Sequence, residues 1–204
     1  MQTKNPSIIA LSTASAVSVT GLAFISPVIL LIKDHYNVSS NEVQLTITIY
    51  LVAICISQVF WGPLSDLIGR RIVLIIGASL FSLGGILASL NLAFEVFIFF
   101  RFLQGIGAAA CLSMPRVMLT ESYGVKKAAA KMSTLLAFMA IFPILSAAFG
   151  GFIGENYGWQ TNFFTLFIFG SIIFLLNFVY SPETIKNKNK RLTFRTTFLD
   201  FRYL

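Results

Sequence analysis

Six long apolar runs dominate this chain and restrict the folds open to it. They cover residues 8–32, 43–64, 72–92, 96–119, 132–154 and 161–180. An α-helix needs roughly 20 apolar residues to cross the bilayer core of about 30 Å, and each run has about that length. The strands of membrane barrels are about half as long and alternate apolar with polar residues, which these runs do not. The pattern therefore predicts an all-α membrane protein with six transmembrane helices.

Charged side chains are scarce and lie mostly outside the apolar runs. They make up 11% of the residues, against about 25% in soluble domains. The net charge of +7 comes from short loops and the last residues rather than from one polar face, so a nucleic-acid partner is not expected. Cys55, Cys111 and His35 do not have the spacing of metal ligands, so neither a metal nor a cofactor is expected. No nucleophile, base and acid constellation indicates an enzyme.

Lysine and arginine are concentrated on one side of the predicted helices. If the chain starts in the cytoplasm, 13 of the 15 basic residues fall on that side: Lys4, Arg70, Arg71, Arg116, Lys126, Lys127, Lys131, Lys186, Lys188, Lys190, Arg191, Arg195 and Arg202. The positive-inside rule then predicts a multi-pass protein of the cell (inner or plasma) membrane with both termini cytoplasmic. Residues 1–180 form the predicted bundle, and residues 181–204 a basic cytoplasmic tail.

A weak internal repeat links the two halves of the bundle. Two glycines around an acid recur with the same spacing three runs apart: Gly62, Asp66 and Gly69, then Gly151, Glu155 and Gly158. An odd number of crossings between the copies places them on opposite membrane faces. The repeat therefore favours two inverted three-helix units.

The strongest motif joins the second and third runs and reads GPLSDLIGRR over residues 62–71. Glycines permit a tight turn, and a carboxylate at a helix end can cap exposed N–H groups of a neighbouring helix. The motif resembles the G-x-L-x-D-x-x-G-R-R/K signature of the major facilitator superfamily. The resemblance implies a conformational latch that closes two bundles on the inner side, formed here by Gly62, Asp66, Gly69, Arg70 and Arg71. A basic loop that only fixes topology is the alternative.

A second motif, RFLQGIGAAA, starts at Arg101 in the fourth run and resembles the R-x-x-Q-G-x-G-A-A motif of the same family. A cation inside the membrane is costly unless it faces a cavity or a partner, so Arg101 is a candidate for substrate binding or coupling. The alternative is that it extends to the headgroups. Gln104 lies on the same face, and Gly105 and Gly107 permit close helix approach.

A third motif lies in the fifth run and resembles the antiporter motif of drug exporters. Pro143 and the pair Gly150 and Gly151 match it, whereas Ser146 and Ala147 stand where Gly-Pro is expected. Close packing of small residues is an equally good interpretation. Together, the three motifs resemble the bicyclomycin-resistance and chloramphenicol-efflux branch of the drug:proton antiporters. The match covers the amino-terminal six-helix half of such a transporter.

Two departures from that branch bear on mechanism. Ala23 occupies a position where the branch usually has an acid, four residues before Pro27, and Thr120 replaces an arginine. The apolar runs contain no carboxylate or histidine, so a proton-carrying residue would have to come from another half. Candidate pocket residues are Phe24, Ser26, Tyr50, Ser57 and Gln58, although helix packing explains each of them as well.

The resemblance implies proton-coupled multidrug efflux, with this half not competent alone. Expected partners are membrane lipid, a small amphiphilic substrate, protons, and a carboxy-terminal half or a second copy. The alternatives are a metabolite or sugar carrier of the same superfamily and a non-transporting, truncated membrane protein.

Overall fold

The computed structural model describes residues 5–185, and within that range the chain is almost entirely helical. Within residues 5–185, six helices are long and apolar enough to cross a membrane. We call them spans 1 to 6: Ile8–Tyr36, Ser40–Ile68, Arg70–Ser89, Phe94–Gly124, Lys126–Tyr157 and Trp159–Tyr180. The predicted all-α, six-helix fold is confirmed. The predicted tail lies outside the described residues from position 186 onward.

Span 2 begins before its apolar run because its polar start is capped. Span 2 begins with a capping box, in which Ser39 N donates to Glu42 Oε2 at 2.8 Å and Glu42 N donates to Ser39 Oγ at 3.2 Å. This reciprocal pair satisfies two amides that the first helical turn leaves free. The apolar pattern therefore marks where each helix crosses lipid, but not where it begins and ends.

Span 1 is broken about two thirds of the way along its length. Its first segment is the α-helix Ile8–Ala23, followed by the short 3-10 helix Ser26–Val28 and the α-helix Ile29–Tyr36. Pro27 has no N–H to donate. The Ile25 amide donates to Leu22 at 3.2 Å and the Val28 amide to Ile25 at 3.0 Å, three residues back instead of four. The carbonyls of Gly21 and Phe24 consequently lose their usual helical partners.

Single glycines connect several consecutive spans. Gly69 separates spans 2 and 3 with φ of 113°, and Gly158 separates spans 5 and 6 with φ of 85°. Each of the two donates its amide to a residue four positions back at 3.0 Å. Both are positions of the predicted repeat, and their shared conformation agrees with spans 1–3 and 4–6 being inverted three-helix repeats. Gly124 makes a comparable break between spans 4 and 5, with φ of 71°.

The core lies where spans 1, 3 and 4 pack together, whereas span 5 is largely uncovered. Each span has a most apolar window of 18 residues; 56% of this window is buried in span 1, but only 11% in span 5. The uncovered face of span 5 is apolar, with Ile144 72% and Phe152 62% exposed. Span 5 therefore presents a membrane-length apolar surface that no other part of residues 5–185 covers.

Candidate functional site

Arg70 is the centre of a charged cluster where spans 2, 3 and 4 meet. Its guanidinium pairs with Asp66 of span 2 and, from Nε at 3.1 Å, with Glu121 of span 4. It also donates to Ser65 Oγ and to the Gly62 carbonyl. One cation thus binds two carboxylates from neighbouring spans, and both acids remain partly accessible to solvent.

Glu183, just after span 6, joins the same cluster. Its Oε1 accepts hydrogen bonds from the amides of Arg70 at 3.0 Å, Thr184 at 3.0 Å and Ile185 at 3.2 Å. Thr184 Oγ1 donates to Glu121 Oε2 at 2.6 Å. A carboxylate at the first amide of span 3 suits the positive end of the helix dipole. The segment after span 6 is therefore tied to the ends of spans 3 and 4.

The residues of the first motif do not all share this cluster. A side chain at Gly69 would clash with the Glu183 carboxylate, so this glycine permits the cap. Gly62 lies inside span 2 with open space around its Cα, and the turn itself depends on Gly69. Arg71 lies on the other side of span 3, where its Nη2 donates to the Phe178 carbonyl at 2.6 Å.

Arg101 is fully buried and connects three spans to its own. Nη2 donates to the Gly21 carbonyl and Nε to the Thr46 carbonyl, both at 3.3 Å, while Nη1 donates to Gln104. The guanidinium carbon lies 4.4 Å from the Tyr50 ring centroid and 5.6 Å from that of Phe163. Gly21 is one of the residues whose carbonyl the break in span 1 releases. Arg101 therefore satisfies that carbonyl from inside the bundle.

Tyr50 of span 2 and the two glycines of the second motif position this arrangement. Tyr50 is fully buried and donates its hydroxyl to the Ser18 carbonyl at 3.0 Å. A Cβ at Gly105 would lie 2.6 Å from the Tyr50 carbonyl oxygen, and one at Gly107 would clash with span 3. Hence Gly105 brings span 4 against span 2, and Gly107 brings it against span 3. The substrate or coupling role of Arg101 and Gln104 stays a prediction.

A cleft of about 360 Å³ lies between spans 1, 2 and 5. Its walls are mostly apolar and come from Val19, Leu22, Ala23, Ser26, Ile47 and Pro143. Ala23, which replaces the acid expected from the resemblance, lies on this wall, and none of the six side chains can titrate. Gln58 is exposed on span 2, whereas Ser57 is buried.

The third motif packs against the break in span 1. A side chain at Gly150 would clash with the Phe24 carbonyl, and one at Gly154 with Val28. A Cβ at Gly151 would lie 3.5 Å from Pro27 Cβ. The glycines of span 5 therefore form the surface that receives the bend, which agrees with the packing interpretation of this motif. The Phe24 ring lines a second cavity, of about 300 Å³, between spans 1, 5 and 6.

Asn162 of span 6 fixes this contact. It is fully buried, and its Nδ2 donates to the Phe24 carbonyl at 3.1 Å and to the Gly150 carbonyl at 2.9 Å. The Phe24 carbonyl is the second one that the break releases. One amide thus connects the broken part of span 1 to both spans 5 and 6.

Sequence reasoning missed Glu121, Glu183 and Asn162. Glu121 and Glu183 are acids next to apolar runs on a side where basic residues predominate, and this contrast could have identified them. Asn162 is a polar residue in an apolar run, and such residues usually face a partner inside the bundle. Within residues 5–185, no group of three or more His, Cys, Asp or Glu side chains could hold a metal ion.

Comparison with curated proteins gives relatives that are named as drug-resistance proteins. The chain is 30% identical over 153 residues to Multidrug resistance protein MdtL of Escherichia coli O81 (strain ED1a), covering 75% of this chain and 39% of that protein. It is 26% identical over 183 residues to the Bicyclomycin resistance protein homolog of Haemophilus influenzae, covering 90% of this chain and 46% of the relative. The chain therefore spans less than half the length of these curated relatives.

Solved structures share the fold at low sequence identity. The crystal structure of a D-xylose-proton symporter superposes with a TM-score of 0.78 at 16% identity, covering 96% of this chain and 52% of that one. A peptide transporter structure gives a TM-score of 0.75 at 13% identity and covers 84% of this chain and 37% of that one. The family model described as Major Facilitator Superfamily matches residues 11–204. The chain belongs to the Major Facilitator Superfamily.

Proposed function

We propose that this chain forms one six-helix half of a proton-coupled exporter of small amphiphilic compounds. Secondary transporters of this kind work by rocking one bundle against another around a site between them. The observation that supports the proposal most is the uncovered apolar length of span 5, beside the cleft lined by Ala23 and Pro143. A second bundle packed there would close the cleft from its open side.

The composition of the cleft favours amphiphilic compounds over sugars. Ser26 supplies its one polar side chain, while the other five lining residues are apolar. A sugar site needs several hydrogen-bonding groups, because each buried hydroxyl left without a partner costs about 1 to 3 kcal/mol. A largely apolar wall instead suits ligands whose affinity comes from buried area. The sugar-carrier alternative would need its polar groups from the other half.

Proton coupling requires a group whose charge changes during the transport cycle. Arginine stays protonated in proteins, so Arg101 does not supply such a group. The residues lining the cleft are not titratable, and we therefore assign the coupling acid to the second half. Asp66, Arg70 and Glu121 instead form the inner latch, and opening of the bundles would break or rearrange their ion pairs.

Reconstitution tests the proposal directly. Liposomes carrying this chain alone should show no drug accumulation driven by a proton gradient, because the chain provides one wall of the site. Co-reconstitution with the carboxy-terminal half of a matching relative should restore accumulation that a protonophore abolishes. Accumulation by the chain alone would show that two copies suffice. Failure of every matched pair would contradict the proposal.

The latch can be tested in the same two-half preparation. Asp66→Asn removes one charge of the Arg70 cluster without changing side-chain volume, and it should reduce transport at least tenfold at unchanged protein abundance. Asp34→Asn is the matched control, because Asp34 is exposed at the opposite end of the bundle. Equal activity of the two variants would leave Asp66 without a role in the latch.

Orientation is a separate prediction, based on the distribution of lysine and arginine. A cysteine replacing Asn156 should react with an impermeant thiol reagent added outside intact cells, whereas one replacing Lys126 should not. Both positions are exposed, and the background must lack Cys55 and Cys111. Labelling at Lys126 together with protection at Asn156 would reverse the proposed topology.

A further inference from the structure

A second cationic site lies where spans 1, 3 and 6 end together, apart from the Arg70 cluster. We name it the Arg71 pocket; its volume is about 270 Å³, and it is lined by Arg71, Asn5, Ser7, Val179, Tyr180, Ser181 and Pro182. No acid occurs among these seven residues. Because Glu183 and Glu121 are bound to the Arg70 side of the bundle, the Arg71 pocket keeps its positive charge.

Arg71 has unused hydrogen-bonding capacity in this pocket. Its Nη2 donates to the Phe178 carbonyl, and its guanidinium carbon lies 5.4 Å from the Phe178 ring centroid. Nε is buried and has no partner among the described residues. A buried donor without a partner costs free energy, whereas Arg70, its neighbour in sequence, pairs with two carboxylates. The contrast points to an anionic ligand at Arg71.

The surrounding backbone also favours an anion. Ser7 is the N-cap of span 1, so the positive end of this helix dipole lies at the pocket, whereas the first amide of span 3 is already bound by Glu183. The carbonyls at the end of span 6 already have donors: Phe178 O accepts from Arg71, and Tyr180 O accepts from Ser7 N at 3.3 Å. These two carbonyl oxygens therefore already have hydrogen-bond donors.

The exposed apolar residues beside the pocket favour a lipid as the ligand. Phe178, Val179 and Tyr180 are 52%, 66% and 57% exposed, and they continue an apolar surface along span 6 through Leu175 at 58%. Tyrosine at the end of a membrane helix is typical of the headgroup level. A molecule with a phosphate in the pocket and acyl chains on this surface would satisfy both regions.

We propose that the Arg71 pocket binds the phosphate headgroup of an anionic phospholipid. Arg71 holds the phosphate through Nη1, the Ser7 hydroxyl and Asn5 amide add neutral donors, and the acyl chains pack against Val179 and Leu175. Basic pockets between membrane helices are known to bind such headgroups. The proposal goes beyond the transport function and does not depend on it.

Native mass spectrometry of the purified chain with added phosphatidylglycerol or phosphatidylcholine tests this. The parent chain should retain phosphatidylglycerol severalfold better, and Arg71→Gln should remove most of that preference. Arg116→Gln is the matched control, because it removes one cation from the same end of the bundle, where Arg116 Nη2 contacts Met139 sulfur at 3.6 Å. Equal retention by the two variants would overturn the proposal.

Two further measurements address misfolding of the Arg71 variant and binding of free phosphate in place of lipid. Val179→Asp places a negative charge at the exposed rim without removing packing, and it should also abolish the preference. Retention of phosphatidylglycerol by Val179→Asp would contradict the site. Inorganic phosphate in large excess should leave the bound lipid in place; if it displaces the lipid and remains bound itself, the pocket is a site for free phosphate and the lipid proposal fails.

Discussion

Replacing Arg101 with methionine should lower the free energy of unfolding of this chain by about 2 kcal/mol. The change removes hydrogen bonds from a charged group, worth about 1.5 to 3 kcal/mol each, and leaves the Gly21 carbonyl without a donor. The loss is partly offset, because burying a cation without a carboxylate partner is itself costly. Reversible thermal unfolding in detergent micelles measures the net effect.

Lysine at the same position should be worse than methionine. It keeps a buried charge and its desolvation cost, yet a compact ammonium cannot reach the Gly21 carbonyl, the Thr46 carbonyl and Gln104 together as a planar guanidinium does. Arg116→Lys and Arg116→Met are the controls, since Arg116 is only partly buried, and each should change stability by no more than about 0.5 kcal/mol. Parent-like stability of Arg101→Lys would show that only the charge matters.

Asn162→Leu should loosen the contact between the broken part of span 1 and span 5, so that the distance between them varies more widely. The substitution keeps a branched side chain, although a somewhat larger one, and removes both hydrogen bonds of Nδ2, so the buried Phe24 carbonyl loses its partner at a cost of about 1 to 3 kcal/mol. With the two native cysteines removed, spin labels at the exposed positions Leu30 and Phe152 report the distance between the outer part of span 1 and span 5. We expect a narrow distance distribution in the parent and a wide one in the variant.

Asn177→Leu separates this effect from general destabilisation. Asn177 is also a fully buried asparagine of span 6, and its Nδ2 donates to span 1 at the Ala10 carbonyl, within the unbroken helix. Its loss should lower stability to a similar extent while the Leu30 to Phe152 distance stays narrow. If both variants broaden the distance equally, Asn162 has no particular role at the break.

The number of spans and their glycine contacts could be predicted from sequence, because both depend on local patterns. Uninterrupted apolar length determines where a helix can cross lipid, and Gly69, Gly105 and Gly107 lie where matched motifs place small residues. The exact helix ends could not be predicted, since they depend on caps such as Ser39 and Glu42. The break in span 1 was missed, although Pro27 was visible, because a proline can also bend a helix without interrupting it.

The partners of the site residues depend on tertiary packing and escaped the sequence patterns. The sequence predicts that Arg101 faces a cavity or a partner, or else extends to the headgroups, but it does not predict that the partners are the carbonyls of Gly21 and Thr46. Glu183 lies 113 residues after Arg70 and accepts a hydrogen bond from its backbone amide. Contacts over such separations follow from how the spans pack, and no local spacing encodes them.

The one-residue turns at Gly69 and Gly158 have a consequence for biosynthesis. A single non-helical residue separates spans 2 and 3, and another separates spans 5 and 6, so no extended loop divides either pair. Because backbone inside lipid must be hydrogen-bonded within helices, each of these pairs would enter the bilayer as a preformed helical hairpin. Spans 3 and 4 are joined by residues 90–93 and can enter separately. Insertion of this chain would then proceed in fewer steps than it has membrane crossings.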